Sequence, residues 1–129
     1  MILGFLGTGH ITSAVISGIT KSNLKVKKIY VSPRNKNLSR KLEKKFNKVK
    51  VSKNNQDVID KSNWVFLAIT PEVGNKIIKN LKFRSRHTII SFISTITLSQ
   101  LKKAIKVKAK IIRAIALPPI SLKKGPVPI

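Results

Sequence analysis

Short apolar runs alternate along the chain with stretches whose apolar residues recur at helical spacing. The runs predict six buried β-strands, at 1–6, 28–32, 49–52, 64–69, 88–93 and 110–115. The stretches between them predict helices whose apolar positions are Ile11, Ala14, Val15, Gly18 and Ile19; Leu38, Leu42 and Phe46; Val58 and Ile59; Val73, Ile77, Ile78 and Leu81; and Leu101 and Ile105. This alternation is typical of a single-domain α/β protein with a doubly wound parallel sheet.

Cap residues mark the starts of several predicted helices. Asn54 followed by Asp57 has the pattern of an N-cap. Pro71 opens the helix after the fourth strand, and Thr97 with Gln100 has the spacing of a capping box. These signals support the helices that the apolar spacing predicts.

The last segment of the chain breaks the alternation. ALPPISLKKGPVPI contains four prolines, which neither a helix nor a central strand accommodates. We therefore expect one domain at 1–116 and, at 117–129, a proline-rich tail or the start of a linker.

The charge of the chain is strongly positive, with 27 Lys and Arg against 4 Asp and Glu and a net charge of +23 over 129 residues. Two interpretations stay open. Lysines that neutralise phosphates favour a nucleic-acid or other polyanionic partner. The lysines are scattered, however, and Lys, Asn and Ile are all abundant, which is typical of a compositional bias.

Neither a membrane segment nor a secretory signal is expected. The first twenty residues carry no charged side chain, yet glycines and hydroxyl residues interrupt their apolar run and no positive charge follows Met1. The chain has no cysteine, which excludes disulfides and thiol nucleophiles. It fits a reducing compartment, and we expect a cytoplasmic protein.

The stretch GFLGTGHITSA (4–14) joins the first predicted strand to the first helix, where dinucleotide-binding proteins of the Rossmann type carry a glycine-rich turn. Gly7 can form the tight turn, and Gly9 allows the backbone to approach a pyrophosphate. The amides near His10 and Ile11 would face that anion. The third fingerprint position, usually Gly or Ala, is Thr12, so Ala14 or Gly18 would supply the close packing.

The end of the second strand favours NADP over NAD. Enzymes that use NAD usually carry an acid there for the ribose 2′-hydroxyl. This chain instead has SPRNKN (32–37), in which Ser32 and Arg34 suit a 2′-phosphate and Lys36 lies close by. The other reading of Arg34 is that it is one of many basic surface residues.

Taken together, these segments resemble the N-terminal NADP-binding domain of the pyrroline-5-carboxylate reductase family. More loosely, the chain is similar to coenzyme F420-dependent NADP reductases and 6-phosphogluconate dehydrogenases. The likeness covers essentially the whole chain and rests on GFLGTGHITSAV (4–15), VSPRN (31–35), NNQDVIDKSNWVFLAITP (54–71), IISFIS (89–94) and IIRAIALPP (111–119).

The resemblance implies an oxidoreductase of proline biosynthesis that reduces a cyclic imine, pyrroline-5-carboxylate, with NADPH in preference to NADH. It also implies roles for individual residues. The pyrophosphate loop would be Gly7, Thr8, Gly9, His10 and Ile11; Ser32 and Arg34 would hold the adenosine phosphate; Asn55 would lie near the adenosine ribose; and Ala68, Ile69, Thr70 and Pro71 would lie near the nicotinamide.

The chain departs from the family pattern at several places. Thr70-Pro71 stands where the family has Lys-Pro, Ser94-Thr95 where it often has Ala-Gly, and Leu117 where it has an Asn beside the nicotinamide. Family members also continue into a helical domain that forms the dimer and much of the substrate site. We therefore expect little activity from these residues alone, with packing against such a domain or a homo-oligomer.

No catalytic side chain or metal site is expected, because hydride transfer to an imine depends chiefly on the cofactor. The acids Glu43, Asp57, Asp60 and Glu72 form no paired or metal-binding cluster in the sequence. His10 is expected in an exposed first turn. His87, which precedes a strand without a recognisable partner, is expected on the surface.

Overall fold

Strands and helices alternate through residues 1–114, which are the residues that the computed structural model describes. The elements are β1 (Ile2–Leu6), α1 (His10–Thr20), β2 (Lys28–Val31), α2 (Lys36–Lys45), β3 (Val49–Val51), α3 (Asn55–Lys61), β4 (Trp64–Leu67), α4 (Pro71–Ile77) continued by a 3₁₀ turn (Ile78–Asn80), β5 (Thr88–Ser91), α5 (Leu98–Ile105) and β6 (Lys110–Arg113). This confirms the predicted α/β fold. The expected tail at 117–129 lies outside the described residues, and the domain boundary at 116 stays a prediction.

All six strands form one parallel sheet in the order β3-β2-β1-β4-β5-β6. After β3 the chain crosses back to place β4 beside β1, with Phe5 opposite Phe66. The order of the strands therefore reverses between β1 and β4. In sheets of this type, ligands bind at the carboxyl ends of the strands beside such a reversal.

Two apolar layers cover the faces of the sheet, because successive residues of a strand point to opposite sides. Phe5 belongs to one layer and stacks on Phe66, with ring centroids 4.4 Å apart. Leu6 belongs to the other layer, which Val58 and Leu101 join from the helices on that side. Full burial of one such side chain contributes about 1.5–3 kcal/mol to folding.

Side-chain caps begin the helices where the sequence predicts them. The Asn54 side-chain oxygen accepts the Asp57 amide hydrogen at 2.8 Å and starts α3. Thr97 and Gln100 form a reciprocal capping box at α5, with distances of 3.1 and 2.9 Å. Each cap satisfies a backbone donor that the helix itself leaves free, which typically stabilises the helix by about 1 kcal/mol.

Three local expectations are corrected. Ile11 is 38% exposed, whereas Thr12 and Ile16 point inward, because the glycine turn fixes the rotation of α1. Trp64, at the first position of β4, is 37% exposed, so this run is not buried throughout. Strands β4 and β5 end at Leu67 and Ser91, two residues earlier than predicted, since the chain leaves the sheet there for the loops at its carboxyl edge.

His87 is buried and not on the surface, with 1% of its area exposed. Its Nδ1 accepts the Arg84 amide hydrogen at 2.8 Å, and its Nε2 lies 2.9 Å from the carbonyl oxygen of Ile59. Because that oxygen can only accept, Nε2 carries the proton and the ring is neutral. Burial lowers the pKa of His87 below its usual value, and the adjacent Arg86 charge acts in the same direction.

Candidate functional site

The turn after β1 depends on Gly7, whose φ is +110°. L-residues with a side chain rarely adopt this conformation. A Cβ at Gly7 would also collide with the backbone of Ala68, lying 2.7 Å from its carbonyl carbon and nearer still to its oxygen. Gly7 therefore lets the β1 turn and the β4–α4 loop pack against each other.

Gly9 lies next to open space, whereas Gly7 is closely packed. Its backbone is extended, and a Cβ placed there would meet no heavy atom within 4 Å. Gly9 is also the N-cap of α1 and has no side chain to satisfy the first amides of that helix. These amides have no intrahelical acceptor, so they are available to an anion in the open space beside Gly9.

Two hydroxyl groups form hydrogen bonds with the backbone of Gly7. The Ser32 hydroxyl, at the end of β2, accepts the Gly7 amide hydrogen at 2.9 Å. The Thr12 hydroxyl donates to the Gly7 carbonyl oxygen at 2.8 Å. Thr12 thus occupies the third fingerprint position with a bond that neither Gly nor Ala could make.

An open cleft of about 750 Å³ runs along the carboxyl edge of the sheet in front of this turn. Its size falls within the range usual for small-molecule sites, about 300–1,000 Å³. Its walls come from the β1–α1 turn, the start of α2 and the β4–α4 segment. The lining residues are Gly7, Thr8, Gly9, Arg34, Asn35, Lys36, Asn37, Leu38, Ala68, Ile69, Thr70, Glu72 and Val73.

The fold brings most of the predicted cofactor residues to this cleft. Seven of them line it: Gly7, Thr8, Gly9, Arg34, Ala68, Ile69 and Thr70. The other five are not in the lining: Ser32, His10, Ile11, Asn55 and Pro71. Ser32 is only 2% exposed and lies beneath the turn. Direct contacts of these five residues with a cofactor stay predictions.

Sequence reasoning missed the contribution of the two helix starts. Asn35 caps α2 by accepting the Leu38 amide hydrogen at 3.1 Å, and both residues line the cleft. Glu72 and Val73, in the first turn of α4, also line it. The parallel topology was the available signal, because every helix that follows a strand begins at the same edge of the sheet.

The charges of the cleft are unevenly placed. Arg34 and Lys36 lie at the α2 side, and Glu72, the single acid of the lining, belongs to α4. None of these three side chains has a hydrogen bond or ion pair with another residue of the described part of the chain. The α2 side can therefore take the negative charge of a ligand without first breaking an internal contact.

Nothing in the described residues adds a metal or a membrane span to this site. Residues 1–114 contain no group of three or more His, Cys, Asp or Glu that could hold a metal ion. No helix in that range is both long and apolar enough to cross a membrane.

Comparison with known proteins identifies relatives of the whole described domain. Residues 2–95 match the family described as "NADP oxidoreductase coenzyme F420-dependent". Pyrroline-5-carboxylate reductase 3 of Danio rerio is 29% identical over 127 residues, which are 95% of this chain and 43% of the relative. The human pyrroline-5-carboxylate reductase 2 is 26% identical, over 97% of this chain and 41% of the relative.

The solved structures agree on the fold. A pyrroline-5-carboxylate reductase from Coxiella burnetii superposes with a TM-score of 0.83 at 19% identity, over 97% of this chain and 47% of that one. These findings confirm the resemblance to the NADP-binding domain of pyrroline-5-carboxylate reductases. The chain spans less than half the length of the curated relatives it matches.

Proposed function

The chain belongs to the family of NADP oxidoreductases described as coenzyme F420-dependent, and on that premise we propose that it binds NADPH as part of a pyrroline-5-carboxylate reductase-like enzyme. The observation that carries the proposal is the space in front of Gly9. It lies in a cleft that Arg34 also lines, directly beside the N-cap of α1. A solved relative from Plasmodium falciparum, with a TM-score of 0.81, has NADP bound.

The glycine turn would hold the pyrophosphate. Gly9 leaves open space beside the start of α1, and the amides of His10 and Ile11 would donate hydrogen bonds to phosphate oxygens placed there. The positive end of the α1 dipole adds a favourable interaction with the negative charge. Ser32 and Thr12 keep the turn rigid, so little order has to be gained on binding.

The start of α2 would select the phosphorylated cofactor. Arg34 supplies a planar cation that can bind the 2′-phosphate through two hydrogen bonds. Lys36 adds a second positive charge beside it, and no acid is present there to bind an unmodified ribose. NADPH should therefore bind more tightly than NADH.

The β4–α4 segment would lie along the nicotinamide half of the cofactor. Ala68, Ile69 and Thr70 line the cleft there, and Pro71 fixes the backbone that follows. The reduced nicotinamide supplies the hydride, so the segment has only to orient the ring and to cover one of its faces. Asn55, at the start of α3, would lie near the adenosine ribose.

The substrate would be a cyclic imine, pyrroline-5-carboxylate, and the product proline. On residues 1–114 the cleft is open to water, and no described side chain closes it. Efficient hydride transfer requires an oriented substrate and exclusion of solvent. We expect slow turnover by this chain alone, and packing of this edge against a helical domain or a second subunit in the working enzyme.

Titration of the purified chain with NADPH and NADH, followed by cofactor fluorescence, tests the proposal. NADPH should bind more tightly than NADH. Arg34→Gln should lower the affinity for NADPH about tenfold and change the affinity for NADH little. Arg40→Gln is the matched control, since it removes the same charge from α2 outside the cleft. Failure of both cofactors to bind at millimolar concentration would refute cofactor binding, and preference for NADH would refute the role of Arg34.

A further inference from the structure

The four acidic residues of the chain differ in whether they contact other residues of the protein. Three of them have internal partners: Glu43 accepts the Val51 amide hydrogen at 2.9 Å, Asp57 pairs with Lys61 at 3.2 Å, and Asp60 accepts from the Gln56 side chain at 2.9 Å. Glu72 alone has no hydrogen-bond or ion-pair partner within the described part of the chain. It is also the one acid that lines the cleft.

This position matters because the protein as a whole repels cations. With a net charge of +23, the field over most of its surface favours anionic ligands. A positively charged ligand would enter the cleft only beside a local negative charge. Among the lining residues Glu72 is the sole group able to supply one, at the α4 side, while Arg34 and Lys36 occupy the α2 side.

The cleft is therefore suited to ligands of both signs. Its α2 side and glycine turn fit phosphates, as the proposed function requires. In the chain, Glu72 follows directly after Thr70 and Pro71, the segment proposed to lie along the nicotinamide, and it lines the same cleft as Thr70. A group beside the nicotinamide is close to the bond that changes in the reaction.

We propose that Glu72 binds the positively charged nitrogen of a protonated cyclic imine, an inference that rests on the proposed function. A neighbouring carboxylate favours the protonated over the neutral imine, and the protonated form is the better hydride acceptor. The hydride forms a C–H bond at the imine carbon. The π pair of the C=N bond moves to nitrogen and cancels its charge, so a neutral amine leaves. Glu72 is a substrate-binding residue in this scheme and transfers no proton.

Nuclear magnetic resonance titration with pyrrolidinium chloride tests the cation site without requiring turnover. The cation should shift the amide resonances of Thr70, Val73 and their neighbours, and neutral tetrahydrofuran of the same ring size should not. Glu72→Gln should weaken pyrrolidinium binding about fivefold, as expected for an exposed ion pair, and Glu72→Asp should restore part of it. Asp60→Asn, which removes the same charge from α3, should have no effect.

Cofactor affinity in the same variants separates this proposal from the proposed function. Removal of the Glu72 charge should leave NADPH binding unchanged or slightly tighter, because the carboxylate repels phosphates. Equal pyrrolidinium affinity in the native chain and Glu72→Gln would overturn the proposal, as would a tenfold loss of NADPH affinity, which would assign Glu72 to the cofactor ribose. If NADPH fails to bind but pyrrolidinium binding still depends on Glu72, the proposed function fails and the cation site stands.

Discussion

Replacing Gly7 by Ala should lower the stability of the fold, whereas replacing Gly9 by Ala should lower the affinity for the cofactor, although both glycines belong to one turn. The two glycines are two residues apart, but their surroundings differ. At Gly7 a methyl group meets the Ala68 backbone, and φ is +110°. At Gly9 the backbone is extended, and the same methyl group meets nothing within 4 Å.

The magnitudes follow from these environments. Gly7→Ala combines a strained backbone, about 1–3 kcal/mol, with a collision that forces two loops apart, so we expect a loss of roughly 2–4 kcal/mol. For a domain of this size that corresponds to a fall in melting temperature of roughly 10 °C. Gly9→Ala should change the free energy of unfolding by less than about 0.5 kcal/mol, because Ala tolerates an extended backbone. Its methyl group would, however, occupy the space proposed for the pyrophosphate, and the affinity for NADPH should fall about tenfold or more.

Thermal unfolding followed by circular dichroism and NADPH titration of both variants provide the assay. Gly9→Ala is informative even where Gly7→Ala does not fold, because it should retain the native melting temperature. Native NADPH affinity in Gly9→Ala would show that no phosphate approaches this residue. A large loss of stability in Gly9→Ala would instead show that the turn is packed more tightly than the structure indicates.

Two further predictions concern groups that hold the site or the fold in place. Ser32→Ala should leave the Gly7 amide without its acceptor. The free energy of unfolding measured in urea should fall by about 1–2 kcal/mol, and the affinity for NADPH should decrease. Unchanged stability would contradict the hydrogen bond. Because the pKa of His87 is lowered by folding, the unfolded chain binds the proton more readily, and stability should decrease as pH falls below about 6.5. Urea unfolding at pH 7.5 and 5.5 checks this, and the pH dependence should be smaller in His87→Asn.

Local patterns predicted the elements of this fold because each pattern reflects a local cause. Apolar runs gave the strands, helical spacing gave the helices, and the caps at Asn54 and Thr97 are contacts between residues close in the sequence. The glycine turn was placed for the same reason, since its position between β1 and α1 is visible in GFLGTGHITSA. The cleft followed from the topology, which sets the carboxyl ends of β1 and β4 side by side.

Contacts between distant residues were beyond local patterns. The Ser32 hydroxyl accepts the Gly7 amide hydrogen across 25 residues, a contact that the sequence did not indicate. The direct role in phosphate binding that the resemblance implied for Ser32 stays a prediction. His87 was expected at the surface because its partners are backbone atoms of Ile59 and Arg84, which leave no mark in the sequence. A buried polar side chain satisfied by main-chain groups is indistinguishable, in sequence, from an exposed one.

The positive charge of the chain and the character of its cleft are separate properties. The chain carries 27 basic residues, yet within residues 1–114 only Arg34 and Lys36 line the cleft, together with one carboxylate and otherwise uncharged residues. A site built for a general polyanion would need many contacts of one sign, since nonspecific affinity grows with the number of phosphates neutralised. Two cations beside a glycine turn instead match a ligand with few phosphates at fixed positions. The geometry of the cleft, more than the net charge, therefore favours a dinucleotide as the ligand.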